Sequence, residues 1–237
     1  MSINIDNIPD LGYDPLRYCL SQNLISQDGL WMEFGVWNGQ TLDLISQYTK
    51  NTVYGFDTFA GVNAPWEGTA SGSMQEFNIG GEPPTEVIPI DPLVRYGKNI
   101  GEKRPFLKNV NFIQGLFKDS LPPFIEQRSE TIALLHIDCD IYSSTKTIFD
   151  YCKDLIKPGC IVVFYELVNY KGYKHHELKA FSEFLACSQL GFKWIGVNGP
   201  VLTDSEIEEM GDYASMTPSA QKWMRDTVGV SVAVSII

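Results

Sequence analysis

The sequence predicts an α/β protein: a mostly parallel sheet with helices on both faces. Two observations carry this expectation. Short apolar runs of strand length alternate with helical stripes along nearly the whole chain, as repeated β-α-β units do. Several of those runs are almost continuously apolar, which suits strands covered by helices on both sides. The chain has 237 residues, 44% hydrophobic and 20% charged, enough for one such domain with a full core.

In chain order, strands are predicted at residues 30–36, 52–57, 110–114, 132–138, 160–165, 192–197 and 230–236. Residues 143–156 place Ile148, Phe149, Cys152, Leu155 and Ile156 on one helical stripe. Residues 175–187 do the same with Leu178, Phe181, Phe184 and Leu185. Pro158-Gly159 closes the first of these helices. Two segments interrupt the alternation within a single domain spanning 1–237. Residues 60–108 hold seven glycines and six prolines, with Trp66 near the start, and read as a lid inserted over one end of the sheet. Residues 198–229 form a second insertion. Short helices are predicted there at 205–210 and after Thr217-Pro218, where Thr suits the cap and Pro the first turn.

Composition excludes several functions. Eighteen basic and twenty-nine acidic residues leave a formal charge of -11, and no Lys/Arg cluster is present to release counterions from a nucleic acid. No stretch approaches a membrane span, and the polar N-terminus lacks the form of a secretory signal. The five cysteines, Cys19, Cys139, Cys152, Cys160 and Cys187, contain no C-x-x-C pair and read as free thiols of a reducing compartment. The expectation is a cytoplasmic protein acting on a small molecule, with no nucleic-acid or membrane partner and with room for assembly as a homo-oligomer.

The strongest local signal is Trp31-Met32-Glu33-Phe34-Gly35-Val36-Trp37-Asn38-Gly39-Gln40-Thr41, a strand running into a glycine-punctuated turn and then a helix. Gly35 lets backbone pass close to a ligand, Gly39 permits a tight turn, and the helix start presents free N–H groups. Glu33 places a carboxylate beside the same crevice. Asp57, twenty-two residues beyond Gly35, ends the second strand where an acid can accept from a ribose diol. A dinucleotide would need glycines where Trp37 and Gln40 stand, and Glu33 would repel a pyrophosphate. S-adenosylmethionine has the ribose and adenine without phosphate, and its sulfonium and ammonium suit an acidic turn. A nucleotide-dependent oxidoreductase is the weaker alternative on these grounds.

These residues also resemble a known family. Glu33-Phe34-Gly35-Val36-x-x-Gly39 and Gly55-Phe56-Asp57-Thr58-Phe59-x-Gly61 are similar to the opening motifs of the macrocin-type (TylF-like) O-methyltransferases. The run Phe112-Ile113-Gln114-Gly115-x-Phe117-Lys118-Asp119-Ser120-Leu121-Pro122 resembles their third-strand motif. Leu135-His136-Ile137-Asp138-Cys139-Asp140-Ile141-Tyr142-Ser143-Ser144-Thr145 resembles their specific D-x-D-x-Y-x-S-T signature. Asn169-Tyr170-x-Gly172-Tyr173-x-His175-His176-Glu177-x-Lys179-Ala180 resembles the segment after the fifth strand. The resemblance implies a Rossmann-like sheet of seven strands with the last antiparallel. It implies S-adenosylmethionine at the carboxyl ends of the first strands, with adenine near Gln114 and Phe117, and Trp37, Thr58 and Asp138 among its contacts. Relatives methylate hydroxyls, including sugar hydroxyls of natural products, often with Mg²⁺.

Methyl transfer is an in-line displacement that needs alignment plus a base or a divalent cation. Asp138 and Asp140 end the fourth strand, Glu166 ends the fifth, and His175 and His176 follow. Asp138 is the first candidate for the base and His176 the alternative. Asp140 has a competing reading as a helix cap, and His136 one as a satisfied core histidine. Tyr142 and Trp37 read equally as core aromatics or pocket walls. The chain departs from metal-dependent relatives at Tyr165-Glu166, where they carry paired acids. Asp138 and Glu166 would then be the only carboxylates left for Mg²⁺, and hard cations want more oxygen than that. Loss of catalysis, leaving a regulatory S-adenosylmethionine-binding module, is the main alternative, and Tyr165 favours it.

Overall fold

The computed structural model describes residues 3–61, 80–91, 99–211, 217 and 227–237. After a short helix α1 (Pro15–Ser21), strand β1 (Leu30–Phe34) leads into helix α2 (Gln40–Ser46) and strand β2 (Val53–Asp57). A small antiparallel pair, β3 (Glu86–Val87) and β4 (Arg104–Pro105), precedes β5 (Val110–Gln114). Helix α3 (Phe117–Ile125), β6 (Ile132–Ile137), α4 (Tyr142–Cys152) and β7 (Ile161–Phe164) follow. A 3-10 turn at Tyr173–His175 then enters α5 (Glu177–Ser188), β8 (Phe192–Val197), α6 (Asp204–Met210) and β9 (Val232–Ile236). The main sheet runs β5-β2-β1-β6-β7-β9-β8. Its pairs are parallel except at β9, which lies antiparallel between β7 and β8. This is the Rossmann-like sheet the resemblance implied, and all seven predicted strands are in it.

Alternation along the strands sorts the core into two layers. Met32, Phe34, Phe56, Leu135, Ile137, Val162 and Phe164 face α3, α4 and α5, meeting Leu121, Phe124, Ile148, Phe149, Phe181 and Phe184. On the opposite face Trp31, Val53, Leu134, Ile161 and Val163 pack with Leu16, Cys19 and Leu20 of α1 and Leu42 and Ile45 of α2. The order reverses at β1, which has β2 on one side and β6 on the other. The crevice beyond the carboxyl ends of those two strands is therefore a topological switch point, where open α/β sheets bind ligands.

Helix α3 contains Pro122 and Pro123, which cannot donate to the preceding turn and disguise the helix in the sequence. Helix α6 stands where the first of the two short helices of the second insertion was predicted, and it carries a capping box. The Thr203 side chain accepts from Glu206 N, while Glu206 reaches back to the Thr203 backbone. The helix predicted after Thr217-Pro218 lies outside the described residues, as do Trp66 and most of the first half of the 60–108 insertion. The insertion's described parts are tied to the first two helices. Arg17 Nη1 donates to Asp91 O at 2.9 Å, Gln40 Nε2 donates to Ile88 O at 2.8 Å, and Arg104 pairs with both oxygens of buried Asp43 at 3.0 and 2.9 Å.

Candidate active site

Gly35 makes the crevice possible. It has φ +87, and a Cβ built there would stand 1.7 Å from Asp138 O, so the end of β6 passes directly over it. Asp138 N donates to Phe34 O at 2.8 Å and Gly35 N to Phe56 O at 3.0 Å, holding three strand ends together. Beyond the glycine, Trp37 takes φ +48, an outlier for a bulky residue, and remains 43% exposed. Such strain persists only where the surroundings enforce it.

Asp57 enforces it. Its Oδ2 accepts from Val36 N at 2.7 Å and Trp37 N at 2.9 Å, and its Oδ1 accepts from Phe59 N at 2.8 Å. A carboxylate has about four acceptor sites, so about one remains for a ligand hydroxyl. Asp57 therefore shapes the turn as well as facing the cavity. Asp57→Ala is expected to weaken S-adenosylhomocysteine binding about ten- to a hundred-fold and to lower the melting temperature with it. Titration calorimetry giving the wild-type affinity would overturn that role.

A cavity of about 640 Å³ opens from this turn across the ends of β1, β6 and β7, a size typical of small-molecule sites. It brings together Glu33, Gly35, Trp37, Asp57, Thr58, Phe117, Asp138 and Glu166 from the sequence expectation. Phe117 is fixed edge-on against Phe34, with ring centroids 5.2 Å apart. Three expected residues stand elsewhere. Gly39 is the left-handed cap of α2, and a Cβ there would meet the Phe106 ring at 2.6 Å. Its smallness serves packing of the insertion. Gln114 turns its amide to Gly81 O, again within the insertion. His176 is 4% exposed beside the Tyr170 ring and is not among the residues lining the cavity.

The floor of the cavity holds an ionisable pair. Glu33 and His136 face each other in register across β1 and β6, each side chain 1% exposed, with Glu33 Oε1 2.9 Å from His136 Nδ1. His136 is thus the satisfied core histidine the sequence allowed. Burial raises the Glu33 carboxyl, and the histidine partly offsets this. Glu33 Oε2 has no hydrogen-bond partner among the described residues. A buried orphan acceptor on a cavity wall is costly unless a ligand donor reaches it.

At the other end stand Asp138, Asp140 and Glu166. Asp140 does not cap α4, whose cap position is Ile141 without a side-chain bond. It takes φ +61 and lines the cavity instead. Burial pushes Asp140 up to about 6, with a hydrogen bond from Glu166 holding it down from a higher value. Burial and the neighbouring carboxyls push Asp138 and Glu166 well above the usual carboxylate range. Glu177, fully buried at the start of α5, accepts from Glu166 N at 3.3 Å and is pushed up in the same way.

These elevations make stability fall with rising pH. Groups whose folded value lies above their unfolded value of about 4 stabilise the fold most when both states are protonated, and lose that contribution as pH rises through the folded value. Glu177→Gln keeps the acceptor for Glu166 N and removes the charge. It should raise the melting temperature at pH 8 by about 2–4 °C, roughly the shift for 1 kcal/mol in a chain of this size, and by less at pH 5. A lower melting temperature at pH 8 in a thermal scan would contradict this.

The donor set does not fit a hard divalent cation. Tyr165 lines the cavity at the position where the resemblance implied a second acid beside Glu166, and Glu166 bonds Asp140. Among the described residues no group of three His, Cys, Asp or Glu side chains is placed to hold a metal ion. S-adenosylmethionine does fit, on the Gly35 cradle, the orphan Glu33 oxygen and the cavity's size.

Fold and cavity together define a class I S-adenosylmethionine-dependent methyltransferase. The model of the macrocin-O-methyltransferase (TylF) family matches residues 14–185, and the chain belongs to that family. Among solved structures it is similar to the calicheamicin methyltransferase CalS11, at 18% identity and TM-score 0.50 over 76% of this chain and 73% of that one. It is also similar to the O-methyltransferase NovP, at 22% identity and TM-score 0.49 over 77% and 74%. An O-methyltransferase from Bacillus cereus in complex with S-adenosylhomocysteine matches at 11% identity and TM-score 0.48 over 97% and 84%. No curated protein matches the sequence. Family membership sets aside the oxidoreductase and the non-catalytic module. Among the described residues no helix is long and apolar enough to cross a membrane.

Proposed function

We propose that this enzyme methylates a hydroxyl of a sugar or natural-product-like small molecule, with Asp140 as the base. The observation that supports the reading most is Asp140 itself, a cavity-lining carboxylate held at about 6. A general base works best when its pKa lies near the operating pH. CalS11 is described as a TDP-rhamnose 3'-O-methyltransferase, and that description suggests the acceptor class here. When bound, S-adenosylmethionine supplies an electrophilic methyl on sulfonium.

This chain's residues do the rest. Glu33 accepts from the methionyl ammonium, and Asp57 accepts from the ribose through its remaining site. Trp37, Thr58 and Phe117 wall the adenosine end. Asp140 takes the acceptor hydroxyl's proton as the oxygen bonds to the methyl carbon and the sulfur–carbon bond breaks towards sulfur. Asp138, a cavity-lining carboxyl that burial and its acidic neighbours hold well above the usual carboxylate range, orients the acceptor oxygen. Glu166 holds Asp140 ionised and in place through their hydrogen bond. Gly61 and Ile90, described residues of the 60–108 insertion, border the acceptor's place in the cavity. Screening sugars and hydroxylated metabolites with methyl-labelled S-adenosylmethionine tests the reading. Label recovered as a methyl ether supports it, and label recovered only on nitrogen would overturn it.

A further inference from the structure

Arg17 is the cation of α1, only 5% exposed, and it lines the cavity. Its Nη1 donates to the Asp91 carbonyl, and no carboxylate among the described residues stands within ion-pair distance of it. Arg104 shows what a satisfied guanidinium looks like here, with both oxygens of Asp43 engaged. A buried charge without a counterion is costly, so an anion is the ligand group that a site of this kind recognises. The rest of the cavity repels anions, because Asp14, Glu33, Asp57, Asp138, Asp140 and Glu166 all line it. Lys118 also lines it, but is paired with Asp119 at 2.9 Å and largely exposed.

S-adenosylmethionine presents two cationic groups and one anionic group. The acids suit its sulfonium and ammonium, while its carboxylate needs a cation. Arg17 and Glu33, whose Oε2 has no partner among the described residues, both line the cavity, a cation and an acid of the kinds that an α-amino acid zwitterion needs. We infer that Arg17 binds the carboxylate of the cofactor's methionyl group, so that α1 closes the amino-acid end of the site. This rests on the placement of S-adenosylmethionine given under the proposed function. Because the same arginine holds Asp91 O, α1 and the insertion's edge are drawn together over the bound cofactor.

The test uses two ligands that differ only in the carboxylate, S-adenosylhomocysteine and its decarboxylated 3-aminopropyl analogue. Calorimetry on the wild type should show the analogue binding about ten- to a hundred-fold more weakly. Arg17→Met should lose that factor for S-adenosylhomocysteine and bind the analogue as the wild type does. Arg17→Lys should fall between, keeping the charge but not the paired N–H geometry. Equal losses for both ligands would make Arg17 a structural anchor of the insertion and overturn the inference, as would a wild type that does not distinguish the two. A wild type that binds neither ligand would overturn the cofactor placement itself, so the two failures are separable. If Arg17→Met fails to fold, Arg17→Lys decides: a loss confined to S-adenosylhomocysteine supports the inference, and equal losses for both ligands, or none, overturn it.

Discussion

Asp140→Asn should lower kcat by about 10²–10⁴, the usual cost of losing a general base, while leaving S-adenosylhomocysteine affinity within a few-fold of wild type. Asparagine keeps the shape of the side chain and removes the proton acceptor. The pH profile follows from the same group. A base must be ionised to act, and Asp140 sits at about 6, so wild-type kcat should fall roughly tenfold per unit as pH drops below that value. The limb should vanish in Asp140→Asn. His176→Gln should leave both rate and profile nearly unchanged, because His176 is buried beside Tyr170 and away from the cavity lining. A profile that follows His176 instead would return the role to the histidine.

Gly35→Ala should be the most damaging substitution in the chain. The left-handed backbone costs any other residue on the order of 1–2 kcal/mol, and the Asp138 carbonyl 1.7 Å from the new Cβ forces β1 and β6 apart. Adding an overpacking cost of similar size brings the loss to about 3 kcal/mol or more, equivalent to roughly 6–12 °C in melting temperature. The displacement also moves Asp138 and Asp140, so S-adenosylhomocysteine binding should become undetectable. Thermal scans and calorimetry together check this, and a folded variant that binds normally would mean the strand ends are far softer than this packing implies. Gly39→Ala is the informative companion. Its conflict is with the Phe106 ring of the insertion, so it should disturb the insertion more than the cofactor site.

Those two glycines illustrate what was legible in the sequence. Strands were legible because their burial is one-dimensional. β5 and β8 have the predicted ends, and the others are shorter by one or two residues where the chain turns, as at Gly35 and Tyr165. Helix α3 was hidden by Pro122 and Pro123, and α1 by its seven-residue length. The cofactor motif was legible because a glycine crossing and an acidic strand end are local patterns. Gly39 and Gln114 fit that pattern but serve the insertion, through Phe106 and Gly81, partners more than thirty residues away. Asp140 was half legible. Its place before a helix invited a cap reading, and only the start of α4 at Tyr142 turns it towards the cavity. Arg17 carried no signal, lying between Pro15-Leu16 and the apolar Cys19-Leu20. That it lines the same cavity as Glu33 is a product of packing alone.

The proposed reaction transfers a methyl group to a hydroxyl by a carboxylate base, without a metal in the step. The most direct measurement is the pH dependence of single-turnover methyl transfer to an acceptor identified by screening, in EDTA and again with added Mg²⁺. The expected result is the same rate in both conditions, one ionisation near 6 on the acid limb, and loss of that limb in Asp140→Asn. Complete loss of transfer in EDTA with full rescue by Mg²⁺ would contradict it and make Asp138 and Glu166 metal ligands.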